Sequence, residues 1–349
     1  MKEIIFFGGF LIVILSILLL DLGVFSKKNH TVKFKEALAW TFTWISFALG
    51  FYVLLSNYGH YLHDVNTLQE LHARIAKFQH PVKLTGIFDL DIMLYNKNLA
   101  LEFITGYLIE YALSIDNIFI IIIILTSFNV KEKFYKKILF WGVMGAIVMR
   151  FLFIFLGAAL IARFHWIMYL FGGVLIYTGL KMMFKNESEE NMNFSQHPVT
   201  KALSKVFNIF PRFVGSSFFL RFKGKLYVTP LFVALMVVEF TDLVFAFDSV
   251  PAIFSVTKDP YIVFFSNIFA IMGLRSLFFV LANILHLFHL LKYGLSVLLL
   301  FIGTKMLLED YLHEIGFKTQ HSLLIISAIL LVSILLSLAF PKKAHKPLQ

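Results

Sequence analysis

The chain has 349 residues, of which 59% are hydrophobic and 15% are charged, and its mean hydropathy is +0.81. Soluble domains have about 25% charged residues, so the composition excludes an ordinary soluble protein and predicts a polytopic membrane protein. The formal charge of +10 comes from basic residues in loops between apolar spans, and no nucleic-acid partner is expected. The absence of cysteine excludes disulfides, thiolate metal sites and iron-sulfur clusters, so any metal must be held by oxygen or histidine.

Nine apolar segments are predicted to cross the bilayer, so the predicted fold class is all-α, a polytopic membrane protein with about nine transmembrane helices. The first segment ends in Asp21-Leu-Gly rather than at a small-residue cleavage site, which favours a retained span. Asp21 is either an interfacial acid or a residue that faces a transport pathway. The spans are residues 4–20, 37–55, 99–125, 138–161 and 166–184, a sixth interrupted by Pro251, 261–285, an eighth that ends at 303–305, and 323–340.

Spans three to five and spans six to eight repeat one order of charged residues. The flanking residues also match, since Met149-Arg150-Phe-Leu-Phe resembles Leu274-Arg275-Ser-Leu-Phe. A three-helix unit crosses the membrane an odd number of times, so the two copies must have opposite orientations, as in many secondary transporters. The repeated residues are Asp116, Arg150 and Lys181 in the first copy and Asp248, Arg275 and Lys305 in the second.

The repeats divide the chain into five parts. The loops and tail on one side of the predicted membrane carry more than twice as many Lys and Arg residues as those on the other. The positive-inside rule therefore places the N-terminus outside and the C-terminus in the cytoplasm. The parts are residues 1–98, with two spans and a polar extracytoplasmic loop; 99–184, the first repeat; 185–227, a cytoplasmic linker; 228–308, the second repeat; and 309–349, the last span and a cytoplasmic tail.

Each repeat opens with an acidic motif inside an apolar run. Acids are rare at membrane depth and usually mark a functional site. Carboxylate, amide and hydroxyl oxygens suit hard divalent cations such as Mn²⁺, Mg²⁺ or Ca²⁺. The candidate metal ligands are Glu110, Asp116 and Asn117 in the first motif and Glu239, Asp242, Asp248 and Ser249 in the second.

The spacing of these acids conflicts with two straight helices around one cage. At about 100° per residue, Glu110 and Asp116 would point roughly 120° apart, and Glu239 and Asp248 roughly 180° apart. We therefore predict helix breaks near residues 114–117 and 248–251, which would also free backbone carbonyls as ligands. Pro251 supports the second break, whereas no Pro or Gly supports the first.

Two arginines at equivalent repeat positions, Arg150 and Arg275, are the candidate charge partners of these acids. One interpretation is that they only neutralise acids in a packed core. Two arginines leave at least three of the five acids unmatched, which favours a cation site. Protonation is the remaining way to hold an acid at low dielectric, and it would couple transport to protons.

Two polar segments lie between the spans. Residues 56–98 contain His60, His63, His72 and His80, and apolar residues at helical spacing predict a short surface helix there. His60 and His63 could share a face and bind a transition metal, but solvated and uncommitted histidines are the favoured interpretation. The linker carries an acidic patch at 187–190 and a basic amphipathic piece at 199–210, which indicate a solvated face touching anionic lipid rather than a partner-binding surface.

The sequence resembles the TerC/Alx family of bacterial membrane proteins from Asp21 to about Met306. The motif that begins at Glu239 is the most specific part of the resemblance. The matching segments are Gly106-Tyr-Leu-Ile-Glu110-Tyr-Ala-Leu-Ser114-Ile-Asp116-Asn117, Phe140-Trp-Gly, Met149-Arg150, Lys223-Gly-Lys-Leu-Tyr-Val-Thr229-Pro230-Leu, Glu239-Phe-Thr-Asp242-Leu-Val-Phe-Ala-Phe-Asp248-Ser249-Val-Pro251-Ala-Ile-Phe, and Ser266-Asn267-Ile-Phe-Ala-Ile-Met-Gly273-Leu-Arg275-Ser-Leu.

The family takes its name from tellurium resistance, and the resemblance implies export of manganese or a similar divalent cation across a bacterial inner membrane. It assigns the metal-site role to the seven candidate ligands. The expected function is therefore a secondary transporter, and the alternative is a non-transporting factor in envelope stress, tellurite resistance or membrane-protein insertion. No enzyme motif is present, such as a phosphate-binding glycine loop, a nucleophile elbow or HExxH, and no resident cofactor is expected. The expected partners are the cation and the lipid bilayer.

Overall fold

The structure is a computed structural model, and part of the chain lies outside the residues it describes. Asp21 and the acidic patch at 187–190 are outside them, as is most of the predicted first span, whose described residues are helical. The described residues are 8–10, 12, 14, 16–17, 33–164, 166–184, 198–222, 224–284, 290–314, 316–317 and 319–340.

Helices dominate the described chain, with one small sheet. Two short 3₁₀ turns, Gly59–His63 and Glu132–Phe134, precede the second and fourth helices. In chain order the elements are α1 (Phe34–Tyr58), α2 (Leu68–Phe78), α3 (Phe88–Ser127), α4 (Tyr135–Arg163), α5 (Ile167–Phe184), α6 (Pro198–Val206), β1 (Asn208–Ile209), β2 (Phe219–Phe222), β3 (Lys225–Val228), α7 (Pro230–Phe254), α8 (Pro260–Ile284), α9 (Leu291–Leu307), α10 (Glu309–Glu314) and α11 (Thr319–Ala339).

The all-α polytopic membrane architecture is confirmed. Among the described residues, seven helices are long and apolar enough to cross a bilayer: α1, α3, α4, α5, α7, α8 and α11. A shorter apolar helix, Tyr293–Leu307, lies where the eighth span is predicted. The total of nine spans stays a prediction, because most of the first segment is outside the described residues.

Helix α3 begins at Phe88, eleven residues before the predicted third span. The predicted boundary at 98/99 therefore falls inside a 40-residue helix. Asp91 fixes the entry to this helix, because its Oδ1 accepts hydrogen bonds from the Thr85 amide and hydroxyl, both at 2.7 Å, and its Oδ2 accepts one from the Gly86 amide at 3.0 Å. Gly86 has a φ of +85°, the left-handed conformation that favours glycine. The polar residues of this stretch form a helical extension and not a loop.

Both predicted helix breaks are wrong. Helix α3 runs without interruption through residues 114–117, and α7 runs through residues 248–251. Nothing in the first stretch removes a backbone donor. In the second, Pro251 lies three residues before the end of α7, and its carbonyl accepts a hydrogen bond from the Ser255 amide at 3.1 Å. Pro251 removes one helical hydrogen bond, and only about one turn of α7 follows it.

Each helix of the first predicted repeat packs on a helix of the second, as expected for two related three-helix units. Helix α3 packs on α8, α4 packs on α7, and α5 packs on α9. The backbones of α5 and α9 approach closely, because a Cβ atom at Gly303 would lie 2.8 Å from the Gly172 carbonyl oxygen. This pairing fits the repeat, while the inverted relation of its two copies stays a prediction.

The linker between the two units contains structure that the sequence did not predict. Strand β3 pairs in parallel with β1 and antiparallel with β2, in the order β1-β3-β2. The turn from β2 to β3 contains Gly224 with a φ of +76°, which a glycine adopts without strain. The basic amphipathic piece forms α6, and Phe207 after it contacts Phe232 with ring centroids 6.4 Å apart. The linker thus docks on the start of α7.

The predicted orientation can be tested by labelling single cysteines, since the chain has none. Exposed Gln69 on α2 and exposed Lys133 before α4 are suitable positions. Thr67 is avoided because it caps α2, with Glu70 completing a capping box. We expect an impermeant thiol reagent added to intact cells to label Gln69→Cys and to spare Lys133→Cys until the cells are lysed. The reverse pattern would overturn the orientation.

Candidate metal site

The two helices that carry the acidic motifs, α3 and α7, run antiparallel. Near the end of α3, Leu125 belongs to the same buried cluster as Leu231 at the start of α7. At the other end, the Thr257 hydroxyl, which follows α7, donates a hydrogen bond of 2.6 Å to Glu102 in the first half of α3. The two motifs therefore pass each other in opposite directions.

Arg150 on α4 lies between the two motifs and is fully buried. Its Nη1 atom donates to Glu110 Oε1 on α3 and, at 3.1 Å, to Ser249 Oγ on α7. Its Nη2 atom donates to Asp242 Oδ1 at 3.2 Å, and its Nε donates to Asp242 Oδ2 at 3.5 Å. Asp242 and Ser249 are seven residues apart, so a regular helix presents both on nearly the same face.

Asn267 on α8 completes this group, which we call the Arg150 cluster: Arg150, Glu110, Asp242, Ser249 and Asn267. The Asn267 Nδ2 atom donates to Glu110 Oε2 at 3.1 Å. Its Oδ1 atom is buried and accepts no hydrogen bond from the described residues. The sequence pattern assigned no role to Asn267. Its amide lies in an apolar span, eight residues before Arg275, and this position is a signal that could have identified it.

Glu239 lies one turn before Asp242 on α7 and is half-buried. Its carboxylate rests against α4, where a Cβ atom at Gly145 would collide with both of its oxygens. Glycine at 145 therefore leaves space for an acid beside the Arg150 cluster.

The other predicted site residues are only partly placed. Asn117 is buried, and its Nδ2 atom, like the Oγ atom of nearby Ser114, has no hydrogen-bond partner among the described residues. Asp116 and Asp248 lie on helical backbone, and their side chains are outside the described part of the structure. Arg275 is half-buried on α8, and its role as a charge partner stays a prediction.

As arranged, the Arg150 cluster is a buried network of charged and polar groups rather than a preformed cation cage. Among the described side chains, no group of three or more His, Asp or Glu residues is placed to hold a metal ion. Arg150 lies between the two carboxylates that would be the central ligands. The cluster still holds two carboxylates against one guanidinium, together with hydroxyl and amide oxygens of the kind that bind hard cations.

Comparisons with known proteins agree on one family. The family profile "Integral membrane protein TerC family" matches residues 95–345. A Myxococcus xanthus protein named "Uncharacterized membrane protein STKORF319" is 39% identical over 340 residues, which cover 97% of this chain and 93% of that protein. No solved structure matches the chain.

Two further relatives match over most of their length. The "Putative membrane-bound redox modulator Alx" of Escherichia coli K12 is 38% identical over 307 residues, which cover 88% of this chain and 86% of that protein. A Rickettsia felis protein named "Uncharacterized membrane protein" is 38% identical over 329 residues, which cover 94% of this chain and 96% of that protein. The chain therefore belongs to the TerC family of integral membrane proteins.

Proposed function

We propose that the protein is a secondary transporter that exports Mn²⁺, or a hard divalent cation of similar size, from the cytoplasm. The observation that carries this proposal is the Arg150 cluster, which brings oxygen ligands from both acidic motifs to one buried position. A site with oxygen ligands and no thiolates suits Mn²⁺ better than it suits copper, and it is not the kind of site that selects zinc. A bacterial inner membrane is the location that fits this role.

The charge balance of the cluster favours a cation as its ligand. Glu110 and Asp242 carry two negative charges when ionised, and Arg150 offsets one of them. Glu239 adds a third acid one turn away. An unmatched carboxylate is unfavourable in a low-dielectric interior, so a bound cation or a proton must supply the remaining positive charge.

Arg150 would then compete with the transported cation for the same oxygens. A divalent ion bound by Glu110 and Asp242 requires their oxygens to turn away from the guanidinium. When the ion leaves, Arg150 returns and offsets one carboxylate, and a proton on the other supplies the remaining positive charge. This exchange gives the site a cation-free state without stranded negative charge, which a transporter needs in order to reset.

The name of the Escherichia coli relative points to redox modulation. This chain has no cysteine, so it cannot carry out thiol–disulfide exchange itself. A non-transporting membrane factor is the remaining alternative. Flux of Mn²⁺ through the purified protein separates the two functions.

The test is Mn²⁺ flux in proteoliposomes made with wild-type protein, Glu110→Gln or Asp242→Asn. Each change removes one anionic ligand and nearly keeps the side-chain shape. We expect each variant to slow Mn²⁺ flux by about tenfold or more, the effect of losing a ligand interaction worth about 1.4 kcal/mol.

Glu132→Gln is the matched control, because Glu132 is an exposed acid in the turn before α4. This control should transport at the wild-type rate. Absence of Mn²⁺ flux through wild-type protein would reject the transporter. Normal flux through both site variants would remove the Arg150 cluster from the pathway.

A further inference from the structure

A second group of buried titratable residues lies outside both acidic motifs. It consists of His63, His80, Glu102 and Asp259, which we call the histidine cluster. Each is at most 5% exposed. The expectation that the histidines of the 56–98 segment are solvated is therefore wrong for His63 and His80. The cluster lies at the end of the bundle that the loop charges predict to face outside.

The contacts join four separate parts of the chain. His80 Nδ1 lies 2.9 Å from Glu102 Oε1 on α3. His63 Nε2, in the 3₁₀ turn after α1, lies 3.1 Å from Asp259 Oδ2, which precedes α8. His80 Nε2 lies 3.9 Å from the same Asp259 oxygen. The two histidines thus face one carboxylate, and His80 also faces a second.

Further polar groups hold the cluster in place. The Tyr95 hydroxyl lies 2.6 Å from His63 Nδ1. Glu102 also accepts hydrogen bonds from Asn98 Nδ2 at 2.7 Å and from the Thr257 hydroxyl at 2.6 Å. The ring of Tyr261 on α8 lies 5.8 Å from that of His63.

Two lysines lie at the edge of this region. Lys77 on α2 has its Nζ atom over the Phe78 ring, 5.0 Å from the centroid, and Phe78 packs on His63 and His80. Lys258 donates a hydrogen bond to the Gln79 side chain. The described charged groups that face His80 directly are Glu102 and Asp259.

Three atoms of the cluster have no well-aligned hydrogen-bond partner among the described residues: His63 Nε2, His80 Nε2 and Asp259 Oδ2. These three atoms converge on each other. A proton on either imidazole would therefore face the unsatisfied oxygen of Asp259. With both carboxylates ionised, the four side chains are neutral in sum only when both imidazoles carry two protons.

We propose that the histidine cluster is a proton-binding site that latches the 59–87 segment to Glu102 on α3 and to Asp259, which precedes α8. The ligand is a proton rather than a metal ion, because no three of the described His, Asp or Glu residues are placed as metal ligands. With His80 protonated, its charge holds Glu102 and Asp259 together. Loss of the proton leaves two buried carboxylates facing neutral imidazoles, and the latch weakens.

The direction of the pH dependence follows from the electrostatics. Burial lowers the pKa of His80, but Glu102 and Asp259 outweigh it, so its pKa lies above the usual value of about 6.5. Burial raises the pKa of Asp259, but His63, His80 and the Tyr261 amide outweigh it, so its pKa lies below the usual range. Stability from the protonated His80 is fully present below about pH 6.5 and is lost as pH rises through the raised pKa.

The test measures hydrogen–deuterium exchange of residues 59–87 in purified wild-type protein between pH 6 and pH 9, corrected for intrinsic exchange. We expect protection to fall as the pH rises from about 6.5 through the raised pKa of His80, by up to about tenfold per pH unit, the limit for one linked proton, and to level off above that pKa. His80→Gln should remove this dependence and expose the segment at all pH values. Unchanged protection of the wild-type segment across this range would overturn the proposal.

The matched control is His72→Gln, because His72 is an exposed histidine on α2 in the same segment. It should keep the wild-type pH dependence, and loss of the dependence in this variant would also overturn the proposal. If His80→Gln does not fold, Asp259→Asn replaces it and should move the transition to lower pH. Addition of Mn²⁺ or Zn²⁺ provides a further check, since metal protection of wild type but not of His80→Gln would assign a metal site instead. None of these measurements depends on transport.

Discussion

Arg150→Ala is expected to destabilise the protein by about 3 to 5 kcal/mol, the typical effect of removing one partner from a buried ion pair. The side chain is fully buried and holds both Glu110 and Asp242. Without it, two carboxylates face each other in a low-dielectric interior. The measurement is the amount of folded protein in membranes together with the thermal unfolding midpoint in detergent.

Four companion variants separate charge from packing. Arg150→Lys should be intermediate, because an ammonium keeps the charge but loses the fork of donors that reaches both acids. Arg150→Met combined with Glu110→Gln should be more stable than Arg150→Met alone, since the double variant leaves one carboxylate fewer without a partner. Arg163→Ala, an exposed arginine in the last turn of the same helix, should remain close to wild type. Equal stability of Arg150→Ala and Arg163→Ala would show that Arg150 is not a buried partner.

Hydropathy located the membrane helices because a lipid-embedded backbone must satisfy its own hydrogen bonds, and a long apolar run has few alternatives to a helix. The observed α4, Tyr135–Arg163, differs from the predicted 138–161 by two or three residues at each end. Where a helical segment is polar, hydropathy does not detect it. Residues 88–98 contain acids and amides and were assigned to a loop, but tertiary contacts bury some of them, such as Asp91 and Asn96, within α3.

The predicted helix breaks failed for a different reason. They were inferred from the requirement that all acids face one cage, which is a functional assumption and not a property of the local sequence. Helices α3 and α7 satisfy their backbone hydrogen bonds locally, and no glycine lies near residues 114–117 to lower the cost of unwinding. A cage built from broken helices needs a stabilising ligand that the sequence pattern alone does not supply.

The candidate site was predictable in part. The sequence named Glu110, Asp242, Ser249 and Arg150, and the fold brings these four together. It gave no role to Asn267 and no importance to the histidine cluster. His63 and His80 face acids more than 20 residues away in the chain, so spacing along one helix carried no signal of their burial.

The continuous helices also change what the two remaining acids are expected to do. Asp116 follows Glu110 by six residues, which is about 9 Å along the axis of α3 toward Ser127. Asp248 follows Asp242 by six residues, which is about 9 Å along the axis of α7 toward Phe254. Because α3 and α7 run antiparallel, these steps lead to opposite ends of the bundle. Asp116 is then expected to lie beyond the Arg150 cluster on one side, and Asp248, next to Ser249, at the opposite end of the cluster, along a path across the membrane.

Asp116→Asn and Asp248→Asn are therefore expected to impair Mn²⁺ transport from opposite sides. In right-side-out and inside-out membrane vesicles, Asp116→Asn should raise the half-saturating Mn²⁺ concentration by about tenfold at the side reached from Ser127 and leave the other side near wild type. Asp248→Asn should show the reverse. Each substitution removes one anionic ligand while nearly preserving shape, so the amount of folded protein should change little.

Two exposed acids serve as controls, one at each end of the bundle. One control is Glu132→Gln, because Glu132 lies just beyond Ser127. The other is Asp89→Asn, because Asp89 lies in the first turn of α3 at the opposite end. Both should transport as wild type does, which excludes a general effect of surface charge on local Mn²⁺ concentration. Equal impairment of both site variants from both sides would instead favour a single cage that contains both acids, since one shared site has the same ligands from either direction. Normal transport by either variant would remove that acid from the path.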